Sequence, residues 1–359
     1  MANNFDSNFT RKLAKVFLDK FESERVLSKN VNTQLLSGKF GSDTGDTVDF
    51  KRPTDYTSKR TSAGDISGGT RDSIITGKAS GTVQDYFTVD VDFDEADEAL
   101  KMDQLDSLLA PMATRIKTGL ELDFGEFCLK NTALLSGAVG TGVTTWDHVA
   151  GAGAIMQASG VPMDQDWCYF ANPFTQRSLA SNQRSLGGET GSMSANQRAV
   201  ITDNFAGMKV MTATTLPSYT TGVGADRAGT LSGTPTATYL AAKDTMTMSI
   251  AVTAFQANLV VAAGETITVT GRNRLNLSTR KPIVDETGAQ ILFSGTVTAA
   301  VTLNGSGAGT LVITGPGVYE AAGAFNTVDS ALTSGDVVTL GGAASKLIQP
   351  NLFWHKQAF

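Results

Sequence analysis

Thr44-Gly45-Asp46-Thr47-Val48-Asp49-Phe50-Lys51-Arg52-Pro53, with Gly64-Asp65-Ile66-Ser67-Gly68 after it, lies within a stretch over residues 37–82 that cannot build its own core. Apolar residues are sparse there: Val48, Phe50, Tyr56, Ile66, Ile74 and Ile75. Glycine recurs throughout. Lys51, Arg52, Lys59, Arg60, Arg71 and Lys78 interleave with Asp43, Asp46, Asp49, Asp55, Asp65 and Asp72. An irregular stretch this long inside a compact domain is either functional or without fixed structure. The spacing predicts a long two-stranded excursion that leaves the globule. Interleaved acids cancel the field that nucleic acid requires, so a protein–protein contact arm is the better reading.

Upstream, residues 8–28 read as an amphipathic helix. Phe9, Leu13, Phe17 and Phe21 recur at i, i+4, and Ser7 or Asn8 can cap it. Four large apolar side chains need a surface, either on the same domain or on a neighbouring subunit. Downstream, Val83 to Phe93 alternates as a strand, and Asp94 to Glu98 opens a helix with acids in its first turn. Pro111 sits where a second helix can begin. Met112, Ile116, Leu120, Phe124 and Phe127 then carry a long helix to about Leu135.

Residues 144–216 alternate short elements: helix from Trp146 to Gln157, strand from Trp167 to Phe170, helix from Phe174 to Leu179, and a turn into a strand over 205–211. Charge then thins sharply. Residues 1–130 hold 17 basic and 22 acidic side chains, whereas residues 221–350 hold 7 and 8. The second stretch is rich in Thr, Val, Ala and Gly. It predicts short strands at Thr245–Val252, Thr266–Thr270, Ala289–Phe293, Thr296–Leu303, Thr310–Thr314 and Asp336–Leu340, forming a small barrel or sandwich. The final segment, Pro350 to Phe359, carries three aromatics and reads as a strand cut before its continuation.

Chemistry is scarce. At 359 residues with net charge −6, the chain has no global attraction to nucleic acid or anionic membrane. No apolar run approaches the roughly 18 residues of a membrane span, and no secretory signal is expected. Cys128 and Cys168 are expected to be buried free thiols of a protein made in a reducing compartment. Only His148 and His355 could serve as a catalytic base, and no Gly-x-Ser-x-Gly elbow accompanies them. Gly137 to Gly142 lacks the Gly-Lys-Ser/Thr ending of a phosphate loop. The acidic run Asp90 to Glu98 lacks a calcium-loop pattern. No catalytic residue, cofactor site, metal site or membrane partner is expected.

The segment order has a parallel. The N-terminal helix, Gln34-Leu35-Leu36-Ser37-Gly38, the Thr44–Pro53 run, Gly64–Gly68, the helix from Leu108-Leu109-Ala110-Pro111, the β-rich insert and Pro350-Asn351-Leu352-Phe353-Trp354 together resemble the major coat proteins of P-twenty-two-like short-tailed double-stranded DNA phages. That resemblance implies an α+β, Hong-Kong-97-like capsid fold with an inserted small β-barrel. It divides the chain into an N-terminal arm (1–36), an extended loop and returning strand (37–93), a spine helix with a peripheral and axial core (94–221), an inserted barrel (222–349) and a return strand (350–359). Family chains continue past this last segment, so a shortened chain is expected. The resemblance also implies self-assembly into pentamers and hexamers of an icosahedral shell. The expected partners are a scaffolding protein, a portal protein at one vertex and packaged DNA by non-specific contact. Synthesis falls in the bacterial cytoplasm and residence in the virion. Phe9, Leu13, Phe17, Phe21, Arg52, Lys59, Arg60 and Arg71 are the candidate inter-subunit contacts. A reading from another class is a β-rich adhesin or fibre protein that binds a host receptor. A third is a hydrolase whose site is not visible in the sequence.

Overall fold

The computed structural model describes residues 25–32, 47–82 except 53, 62, 70, 72, 73, 75 and 76, residues 88–89, 105–186 except 165, 205–236, and 245–359 except 322. The helix expected over 8–28 therefore falls outside them but for its last residues, which form bends and a turn instead. The strand and helix expected over 83–98 also lie outside, save residues 88–89, which join no strand.

The excursion is two-stranded. β1 (Thr47–Lys51) pairs antiparallel with β2 (Lys78–Thr82), Thr47 opposite Thr82 and Lys51 opposite Lys78. The long helix α1 spans Leu105–Lys130. It begins before Pro111, which sits inside it rather than at its first turn. It also stops short of Leu135. Asn131 Nδ2 donates to Phe127 O at 2.9 Å, and Ala133 O is taken by the side chains of Arg274 and Ser294. Those tertiary bonds outcompete further helical turns. The apolar stripe is also rotated from the one expected. Glu121, Gly125, Cys128 and Leu129 are buried, while Phe127 is 53% exposed.

α2 (Trp146–Ala158), β3 (Trp167–Ala171), α3 (Pro173–Leu186) and β4 (Met208–Thr212) follow. α3 runs well past Leu179. Pro173 takes the first helical position, and Asn172 Oδ1 accepts from Thr175 N at 2.6 Å, a firm N-cap. β3 is buried along its whole length, hence its unbroken apolar sequence. Its alternation divides two cores. Trp167, Tyr169 and Ala171 face α2 and Leu179 of α3; Cys168 and Phe170 join Cys128, Leu27 and Trp354.

The chain then passes β5 (Tyr219–Thr220) into a closed antiparallel barrel. Its strands are β6 (Ala228–Leu231), β7 (Thr247–Thr253), β9 (Thr266–Asn273), β10 (Leu292–Val297), β12 (Gly309–Thr314) and β13 (Val337–Leu340), in the order β10-β12-β7-β6-β13-β9. Closure removes the open edges that a sandwich would leave. Two short strands, β8 (Val260–Val261) and β11 (Val301–Thr302), pair outside the wall. The single strand expected over Thr296–Leu303 is therefore broken, because its second half leaves the barrel to meet β8. The strand expected over Ala289–Phe293 is shifted and begins at Leu292. Ile250, Val252, Ile267, Val269, Phe293, Leu311, Ile313 and Val338 fill the interior at 1% exposure or less.

β14 (Leu347–Ile348) pairs with β5, so the strands entering and leaving the barrel lie side by side. β15 (Leu352–His355) then returns beside β3, in a sheet ordered β15-β3-β4. The barrel is thus inserted between β4 and β15. A buried ion pair pins its stem. Arg227 Nη2 meets Glu265 Oε2, and Glu265 Oε1 accepts from Gly222 N (2.6 Å) and Ala262 N (2.9 Å). Gly222 has no room for a side chain, since a Cβ there would stand 1.5 Å from Val260 O.

Candidate inter-subunit surfaces

The hairpin is held by polar contacts rather than by a core. Asp49 bonds Ser80 Oγ and pairs with Lys78 Nζ at 3.1 Å across the strands. The Ser80 hydrogen bond, then that of Lys78, hold the Asp49 carboxyl below its usual pKa. Both members of the ion pair are largely exposed, so it sets register more than stability. Beyond the strands, Asp65 accepts from Ser67 N at 2.8 Å to form a local turn. Asp55 pairs with Arg280 of the barrel, fastening the excursion to the inserted module.

Lys59, Arg60 and Arg71 all lie exposed on this excursion, and Arg52 is half-buried beside β1. Tyr56, Ile66 and Ile74 are 50%, 68% and 78% exposed among them. A charged surface with a few large apolar side chains suits contact with another protein. Phe9, Leu13, Phe17 and Phe21 lie outside the described residues.

A second junction was not legible in the sequence. Glu121, buried on α1, accepts from Leu27 N (2.7 Å) and Ser28 N (3.0 Å), and the Ser28 hydroxyl adds a third bond. Here the amides at the end of the expected helix bond to a carboxylate from another segment, which is why residues 26–28 turn. Trp354 of β15 stacks on Phe170 at 4.2 Å and meets Phe124 and Phe359 edge-on. Its Nε1 donates to Asn30 O at 2.9 Å. The aromatic terminus was the sequence signal for this cluster. Glu121 gave no signal, because a carboxylate in a helical stripe reads as solvated.

The two histidines have structural duties. His148 Nδ1 lies 3.1 Å from Thr145 Oγ1 at the start of α2. His355, buried at the end of β15, contacts both carboxylate oxygens of Asp164 at 2.9 and 3.0 Å. Desolvation works to raise the Asp164 pKa, but the His355 bond and local backbone amides outweigh it and hold the carboxyl low. The loop Gly137–Gly142 and His148 line a cleft of about 670 Å³ between the core and the barrel. Cys128 and Cys168 are free and buried, and burial pushes both thiols up. Among the described residues no cluster of His, Cys, Asp or Glu could hold a metal, and no helix is long and apolar enough to cross a membrane.

The described residues thus present an exposed, charged excursion and a buried aromatic junction around Trp354. The family described as P22 coat protein, gene protein 5, matches residues 1–359, and the chain belongs to it. It is similar to a major capsid protein of Acyrthosiphon pisum secondary endosymbiont phage 1, at 33% identity over 99% of this chain and 84% of that protein. A solved chain from Mycobacterium phage Che8 aligns over 93% of this chain and 92% of its own, with 13% identity and a TM-score of 0.41. The protein is a structural, major capsid protein of a phage, and its place is the virion capsid. The family's role is structural rather than enzymatic, and a coat protein acts by self-assembly into a shell.

Proposed function

We propose that the chain builds an icosahedral shell of pentamers and hexamers around phage double-stranded DNA, as a subunit of Hong-Kong-97-like fold. In this reading residues 1–36 are the N-terminal arm, 37–93 the extended loop and returning strand, 94–221 the spine and the peripheral and axial core, 222–349 the inserted barrel, and 350–359 the return strand. Synthesis takes place in the bacterial cytoplasm. A scaffolding protein guides assembly, a portal protein occupies one vertex, and the packaged DNA makes only non-specific contact.

The observation that carries this reading is the excursion. It projects exposed cations and exposed Ile66 and Ile74 on a two-stranded stem too poor in apolar residues to be a domain. Such a surface gains its free energy from neighbours. In a closed shell each weak contact is repeated many times, and complementary charge fixes register while rejecting wrong neighbours. The test is co-expression with and without the phage's scaffolding protein, followed by negative-stain microscopy. Uniform closed shells only with scaffold support the reading. Identical shells in both samples remove the scaffold from it, and monodisperse monomers in both remove the shell.

A further inference from the structure

Arg274 follows the end of β9, where the barrel meets the segment after α1. Its Nη2 donates to Ala133 O (3.0 Å), Ser294 O (2.7 Å) and Ser294 Oγ (3.1 Å). Its guanidinium carbon stands 5.9 Å from the centre of the Phe293 ring. Among the described residues, every side-chain hydrogen bond of Arg274 comes from Nη2, and no carboxylate pairs with it. Nε and Nη1 therefore retain donors. The other arginines of the barrel are matched: Arg227 with Glu265, Arg272 with Asp336, Arg280 with Asp55. Three neutral acceptors orient Arg274 without neutralising it. Burial pushes the guanidinium pKa down to about 10, which leaves it charged at neutral pH.

Arg274 also lines a cavity of about 130 Å³, shared with Leu135, Ile155, Thr268, Leu292 and Ser294. Its lining mixes the aliphatic Leu135, Ile155 and Leu292 with the polar Thr268 and Ser294. An unpaired cation beside such a void is costly unless something negative or strongly polar fills it. We propose that this junction binds one small oxyanion of the phosphate or sulfate class, held by the free edge of the Arg274 guanidinium with Thr268 beside it. A planar fork of N–H donors suits a tetrahedral oxyanion. The same chemistry could come from a DNA backbone phosphodiester. The small volume of the cavity favours the free ion. The bound anion joins the barrel to the segment after α1, because Arg274 already holds Ala133 O there.

The test is equilibrium dialysis of the full chain against radiolabelled inorganic phosphate, with chloride holding ionic strength constant. Saturable uptake approaching one ion per chain is expected, with sulfate competing and a short DNA duplex not competing. Arg274→Met keeps the stem but loses the charge. It should weaken uptake at least about tenfold, the size of one charge-assisted hydrogen bond. Leu135→Phe narrows the cavity and leaves the guanidinium untouched; it should weaken uptake as well, and it decides the matter if Arg274→Met does not fold. Near-ultraviolet circular dichroism checks the fold of each. The proposal is overturned if the parent takes up no saturable phosphate, if Leu135→Phe or a folded Arg274→Met binds like the parent, or if duplex DNA competes better than sulfate.

Discussion

Glu265→Gln isolates the electrostatic part of the barrel's stem. Glu265 Oε1 accepts both backbone bonds, from Gly222 and Ala262, while Oε2 meets Arg227 Nη2. A glutamine can keep its carbonyl oxygen toward the two amides. Its NH₂ then faces the guanidinium, donor against donor, and the Arg227 charge stays buried without its counter-ion. Both side chains are almost wholly enclosed, at 6% exposure for Arg227 and 0% for Glu265. Breaking such a pair from one side costs about 3–5 kcal/mol. For a module the size of residues 222–349, about 4 °C of Tm is lost per kcal/mol, so the barrel transition should fall by about 12–20 °C. Calorimetry of the full chain measures it, and hydrogen exchange at Ile250 and Val252 assigns the transition to the barrel. All three tryptophans, Trp146, Trp167 and Trp354, lie outside the barrel, so fluorescence reports the core separately and should move little. Adding Arg227→Met removes the stranded charge and should restore at least half of the loss. A loss below about 1 kcal/mol, the range of exposed pairs, would refute the claim that this pair is desolvated and holds the stem.

Replacing Arg52, Arg60 and Arg71 together by Ala should leave the Tm of the unassembled subunit nearly unchanged while slowing shell assembly by light scattering, with a deficit that shrinks as salt rises; parent-like assembly at every salt would remove the excursion from the contact. The second ion pair of the barrel gives a pH dependence. Desolvation works to raise the Asp336 pKa, but the Arg272 hydrogen bonds, the Thr333 amide and the Arg272 charge hold it below the usual value. Its stabilisation is complete above the ordinary carboxylate pKa of about 3.9 and is lost as pH falls through the lower folded value. Thermal scans from pH 6 to pH 2 should therefore show Asp336→Asn less stable than the parent near neutrality and converging with it in acid; a constant difference would mean that the carboxylate charge is not what matters. Residues 222–349 expressed alone should give a dispersed amide NMR spectrum, because every barrel strand and its interior side chains lie within that span; a collapsed spectrum would show that the core is needed to close the barrel.

Much of this protein was legible in its residues. Short runs rich in Thr and Val placed β7, β9, β12 and β13 to within a few residues, because such side chains suit a pleated, half-buried surface. The run at Trp167 was read as a strand, and the structure adds that it is buried along its whole length. Scarcity of apolar residues over 37–82 identified a segment that leaves the globule, since burial has no substitute as a driving force. Family membership was carried by segment order and the Thr44–Pro53 run.

What the sequence left open depended on contacts between residues far apart in the chain. Barrel or sandwich turns on whether β10 and β9 meet, and neither strand encodes its partner. The end of α1 is set by Arg274 and Ser294 taking Ala133 O, some 140 and 160 residues downstream. The turn at residues 26–28 exists because Glu121 accepts their amides, and the buried cost of Glu265 is tolerable only because folding brings Arg227 to it. Local periodicity reports which face of an element avoids water. Only the tertiary structure decides which distant group satisfies the polar atoms that go in with it, because a buried donor or acceptor must find its partner wherever the fold places one.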